Sequence, residues 1–123
     1  MGPRPRAPKR GEIYSIDPNP VAGREMRDRH YWIVLTPEAV NAHGVAVAVA
    51  VSTAAVGARA AGLTVRVSGG GVTGVAICTH LRSFNLRARV SDGTARLAGF
   101  ADASAVDEIA SRVASLIDPA PEA

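Results

Sequence analysis

Val45-Ala46-Val47-Ala48-Val49-Ala50-Val51 alternates two side-chain sizes with a period of two. A strand sends successive side chains to opposite faces, so this run puts valines on one side of a sheet and alanines on the other. A helix can use the same alanines, but the χ1 preference of the valines argues for sheet. The valine face fills a layer, and the alanine face lets another group approach closely.

The segments on either side repeat the strand signal. Toward the N-terminus, Tyr31 to Thr36 is β-branched and aromatic, Pro37 ends it, and a single turn follows around Glu38 to Asn41. Arg10 to Ile16 alternates loosely, as a half-buried strand does, until Asp17-Pro18-Asn19-Pro20 stops it, and the chain to Arg29 reads as one long loop. Toward the C-terminus, Leu63 to Val67 and Val72 to Cys78 read as two strands joined by a hairpin through Ser68-Gly69-Gly70-Gly71. Arg87 to Leu97 is expected to hold another strand, broken by Asp92-Gly93. The period then changes: Val106, Ile109, Ala110, Val113, Leu116 and Ile117 follow helical spacing, with Asp102 or Ser104 to cap the start and Pro119 beyond the end.

Short strands followed by one helix, without β-α-β alternation, give a mainly β fold: a small, partly closed antiparallel barrel with a C-terminal α-helix packed on it. One domain is expected over residues 10–118, since 123 residues hold one core of ordinary size. Residues 1–9, with Pro3, Pro5 and Pro8 among Arg4, Arg6 and Lys9, are expected to form a mobile basic tail, and 119–123 a flexible C-terminus. Aromatics are only 4% of the chain, so Val, Ala, Leu and Ile must fill the interior. Flat aliphatic faces and many small residues favour a homodimer that hides an edge or a face.

Composition narrows the chemistry. The fourteen Lys and Arg residues are all Arg except Lys9, which favours planar contacts to phosphate or carboxylate. Lone Cys78 excludes an internal disulfide and any usual cysteine zinc site, and the three histidines lack metal-site spacing. No dinucleotide fingerprint or Walker A sequence is present, so neither a cofactor nor a metal is expected. No run of about eighteen apolar residues and no apolar leader occur, which points to a cytoplasmic protein away from the membrane.

What remains is Gly23-Arg24-Glu25-Met26-Arg27-Asp28-Arg29-His30, six ionisable residues within seven positions directly before a buried strand. One reading is a solvated loop whose ion pairs contribute under about 1 kcal/mol each. The other is phosphodiester cleavage without metal. There a ribose 2′-hydroxyl attacks its own phosphate, which needs a base, a cation for the phosphorane charge and an acid for the leaving oxygen. Glu25, His30 and an arginine are groups of those kinds.

The order Arg10-Gly11-Glu12-Ile13-Tyr14, Pro20-Val21-Ala22-Gly23-Arg24-Glu25 and Ile33-Val34-Leu35-Thr36-Pro37 with Asn41 resembles the MazF/PemK/Kid toxins of type II toxin–antitoxin systems. The likeness continues through Val51-Ser52-Thr53, Ala58 to Leu63, Thr73-Gly74-Val75, Leu81-Arg82-Ser83 and Arg87-Ala88-Arg89. It implies an SH3-like barrel, a homodimer, metal-independent cleavage of single-stranded RNA at short motifs, and a cognate antitoxin with an acidic, disordered tail. Residue by residue, it makes Glu25 the loop glutamate, Arg24 the RNA-contacting position, and Ser52 and Thr53 the hydroxyl pair after the third strand. A hydroxyl pair can equally just end a strand.

Two departures from the family pattern matter. The family opens its second strand with Arg-Pro, whereas this chain has His30-Tyr31 with Arg29 one place earlier. Either His30 supplies acid–base chemistry in place of that arginine, or Arg29 supplies the charge, or His30 is a capping side chain. At Ile77-Cys78-Thr79-His80 the family's acidic residue is replaced by Thr79, beside His80, which implies a changed substrate preference. Arg27, Thr79, His80 and Arg82 complete the expected RNA-binding set, and Arg82, Arg87 and Arg89 are read as phosphate-tracking or fold-stabilising. A different class of function fits the same fold: a non-catalytic toxin that binds a protein such as DNA gyrase, or a degenerate family member. Glu25 and Ser52-Thr53 favour the nuclease. A plain RNA-binding barrel needs no Glu25, because a carboxylate repels phosphate.

Overall fold

A computed structural model describes residues 5–17, 30–52, 62–68 and 70–121. In chain order its elements are β1 (Glu12–Ile16), β2 (His30–Val34), α1 (Glu38–Asn41), β3 (Ala46–Ser52), β4 (Thr64–Val67), β5 (Gly74–Phe84), α2 (Leu86–Asp92), β6 (Ala95–Phe100) and α3 (Ala103–Ile117). The six strands form one antiparallel sheet in the order β4-β5-β3-β2-β1-β6. Among the described residues, no helix is long and apolar enough to cross a membrane.

The alternating run becomes β3, near the middle of this sheet, and both of its faces are used. Val49 and Val51 join Ile13, Ile33 and Val65 under α3, which contributes Val106, Ile109 and Val113 from the helical stripe. On the other face Ala46 and Ala48 pack with Trp32, Val34 and Phe84. The small alanines admit the two large rings, which meet edge to face with centroids 4.9 Å apart at 70°. Each buried Val or Ile side chain contributes about 1.5–3 kcal/mol.

The sheet curls but does not close. The turn after β4 reaches the end of β6, where a Cβ added at Gly70 would lie 2.4 Å from the Phe100 nitrogen and one added at Gly99 would lie 2.2 Å from the Gly70 oxygen. Backbone meets backbone there, with no space for a side chain.

Three sequence expectations are corrected. Arg87 to Asp92 is helix rather than strand: the Asn85 side chain accepts from the Ala88 N–H at 3.1 Å, Leu86 is buried, and Gly93 ends α2 at φ +83°. Asp92-Gly93 is therefore a helix end, and the strand is confined to Ala95–Phe100. β5 runs on past Cys78 to Phe84, because the polar stretch Thr79 to Ser83 pairs through Leu81, Arg82 and Ser83 with β3.

The third correction concerns the expected tail. Arg6 to Lys9 is held by Glu12, a carboxylate only 1% exposed. Arg6 pairs with both Glu12 oxygens, while the Lys9 N–H (2.7 Å) and the Tyr14 hydroxyl (3.0 Å) donate to Oε1. Asn41 Nδ2 donates to the Pro8 carbonyl at 2.8 Å, and Ala7 is buried. A buried carboxylate needs donors, and the preceding segment supplies them. Burial pushes the Glu12 carboxyl up, but these bonds outweigh it and leave it below the usual carboxylate range.

Candidate functional site

Strand register brings the candidates together. β1 pairs with β2 through Ile16 and His30, and β2 pairs with β3 through Tyr31 and Val51. Continued by one step, that second register sets His30 opposite Ser52, with side chains on adjacent strands about 5 Å apart. Ser52 pairs in turn with Val75 on β5, and Val75 with Arg66 on β4. Directly opposed residues share a face, so His30, Ser52, Val75 and Arg66 form one row across four strands.

Beneath this rim the same face carries Trp32 opposite Ala50, Arg82 opposite Ala48, and Phe84 opposite Ala46. Arg82 is exposed, with its guanidinium 5.2 Å from the Phe84 ring centre, so its charge is presented on the face that bears His30. Trp32 Nε1 is buried there without a hydrogen-bond partner. Thr79 and His80 are both exposed at a register shift: Val49 pairs with Leu81 but Val51 with Ala76, so β5 bulges past Ala50.

The structure thus sets His30 beside Ser52, places Arg82 on the same face but four residues further along β3, opposite Ala48, and leaves Thr79 and His80 exposed at the bulge of β5. Arg24, Glu25, Arg27, Arg29 and Thr53 lie outside the described residues. The chain leaves β1 at Asp17 and re-enters at His30, so both ends of the segment containing Glu25 sit at this rim. The Asp17 end is tied down: Arg89 on α2 donates to the Asp17 carbonyl at 3.1 Å and lies 5.4 Å from the Phe84 ring centre. Arg89 therefore works as a structural clamp, in line with one of the two roles read for it.

Sequence reasoning passed over Arg66 and Arg112. Together with Ser52, Thr64, Ser68 and Thr73 they line an open groove of about 710 Å³ beside β4. Arg112 donates to the Gly62 carbonyl and to Glu108 Oε2 (2.7 Å), which fixes its guanidinium at the groove wall. No local pattern signals this pairing, since one arginine lies within the short Thr-Val-Arg-Val strand and the other on the polar side of α3.

The architecture is that of a small protein built on one curled antiparallel sheet backed by a C-terminal helix, with His30, Ser52 and Arg66 in one row and Arg82 further along the same face. The family model of PemK-like, MazF-like toxins of type II toxin–antitoxin systems matches residues 9–117, and the chain belongs to that family. Among solved structures, it is similar to MazF from Deinococcus radiodurans, with 29% identity over 92% of this chain and 98% of that one and a TM-score of 0.71. The MazE–MazF complex of the same organism gives 26% identity over 92% and 98%, with a TM-score of 0.70. An endoribonuclease in complex with its cognate antitoxin, from a mycobacterial species, shares the fold at 22% identity over 94% and 100%, with a TM-score of 0.69. No curated protein matches.

Proposed function

We propose that this toxin is a metal-independent endoribonuclease that cuts single-stranded mRNA at short motifs in the cytoplasm, and so arrests translation and growth. The observation that carries the reading is the placement of His30 beside Ser52, on a face that also presents Arg82, at the rim where the Glu25 segment begins and ends. A solved relative from a mycobacterial species is described as an endoribonuclease, which supports the same reading.

In the proposed reaction Glu25 takes the proton of the ribose 2′-hydroxyl, whose oxygen attacks the adjacent phosphorus as the bond to the 5′-oxygen breaks. His30 donates a proton to that departing oxygen, leaving a 2′,3′-cyclic phosphate. Arg29 and the Ser52 hydroxyl stabilise the phosphorane charge. Arg24, Arg27 and Arg82 hold flanking phosphates, while Thr53, Thr79 and His80 read bases by hydrogen bonding, since few aromatics are available for stacking. The active form is a homodimer, silenced by a cognate antitoxin whose acidic, disordered tail competes for the basic face; relatives from Deinococcus radiodurans crystallise with MazE.

Purified protein freed of antitoxin is expected to cut single-stranded RNA in EDTA and to leave cyclic phosphate ends. Absence of cutting, or its loss on chelation, overturns the proposal.

A further inference from the structure

We infer that the groove between β4 and α3 is a phosphate subsite that holds the RNA strand beyond the cut bond, with Arg66 as its principal contact. The inference rests on the ribonuclease reading and names where the flanking strand runs. Its basis is the row His30–Ser52–Val75–Arg66, which leads from the rim directly into the groove. Ser52 belongs to both: it neighbours His30 and it lines the groove. Two inter-strand spacings separate Ser52 from Arg66, about 10 Å, so a strand seated at the rim reaches Arg66 without a detour.

The lining suits a phosphodiester chain. Arg66 and Arg112 supply the positive charge, and the Ser52, Thr64, Ser68 and Thr73 hydroxyls can donate to phosphate oxygens or accept from ribose. Val75, between Ser52 and Arg66, is buried and lines the groove with them. Arg112 is partly neutralised by Glu108, which makes Arg66 the stronger cation. Past Arg66 and Ser68 a smaller hollow is lined by Asp102 together with the Arg112-paired Glu108, and the Asp102 carboxylate repels phosphate. The strand therefore ends its contacts at Arg66, and the subsite has a defined length.

The test compares Arg66→Ala, Arg66→Lys and Arg96→Ala in the full chain, Arg96 being an exposed residue of β6. Two single-stranded RNAs are used, a short one spanning the cut site and one extended on both sides, each also made with a 2′-deoxy group at the cut position for binding. Arg66→Ala is expected to lower the preference for long over short RNA roughly 5-fold at 0.1 M salt, and to reduce the slope of log K against log salt by about 0.7, one phosphate contact. Arg66→Lys should retain most of that slope. Unchanged slope and preference in Arg66→Ala, or an equal fall in Arg96→Ala, overturn the subsite while wild-type cutting leaves the nuclease reading intact. Weaker binding of a poly-glutamate peptide by Arg66→Ala, with RNA binding unaltered, reassigns the groove to an acidic protein segment. Failure of the wild-type chain to cut or bind RNA overturns both.

Discussion

Gly70 and Gly99 meet backbone to backbone, with the Gly70 oxygen only 2.2 Å from where a Cβ on Gly99 would lie. This contact sets the β4–β5 turn against β6, bringing together the two ends of the open sheet. Gly99→Ala is expected to destabilise the fold by about 1–3 kcal/mol, a fall of roughly 5–15 °C in melting temperature. A melt within about 2 °C of wild type would show that the two ends of the sheet do not depend on the contact.

Glu12 links stability to acidity. Its folded pKa lies below its unfolded value, so its contribution is present above the ordinary carboxylate range and is lost as pH falls through the lower folded value. Glu12→Gln is expected to weaken the fold at neutral pH by about 1–3 kcal/mol and to flatten the acid limb of a urea-unfolding series. A wild-type acid limb in that variant contradicts the role.

Tyr14 acts at the other extreme. Burial, then the charge and hydrogen bond of Glu12, push its hydroxyl up from 10.0, so its contribution is complete below that value and declines as pH rises beyond it. Tyr14→Phe should therefore remove part of the loss of stability above about pH 10. An unchanged alkaline limb counts against a buried Tyr14 hydroxyl beside Glu12.

Asn85 caps α2, and α2 positions Arg89 on the Asp17 carbonyl. Asn85→Ala should cost about 1 kcal/mol in denaturant unfolding. It should also slow RNA cutting, because the β1 end of the Glu25 segment loses its clamp. Equal activity with lowered stability would restrict Arg89 to a purely structural part.

Much of the architecture was readable from local pattern. The period-two run at Val45 to Val51 marked β3, and the three-and-four spacing from Val106 to Ile117 marked α3, because each buries a face long enough to impose its period. α2 was misread because a helix of two turns with the single buried anchor Leu86 leaves no period to detect, and Asp92-Gly93 ends helices and breaks strands alike. The docking of Arg6 to Lys9 was hidden for another reason: it answers the buried charge of Glu12, and burial is a property of the assembled sheet. At the site, residue type pointed to His30 and the family resemblance to Ser52, but only the register of β2 against β3 made them neighbours. The groove of Arg66 and Arg112 arises from elements far apart in sequence.

In the proposed mechanism His30, set beside Ser52, carries out proton transfer in RNA cleavage. The most direct test of that role is the single-turnover rate of His30→Ala on single-stranded RNA in EDTA, with circular dichroism to verify the fold. A fall of roughly 10²-fold or more is expected, the usual scale for losing an acid–base group. A folded His30→Ala protein that cuts at the wild-type rate would remove His30 from the chemistry and pass the role to Arg29.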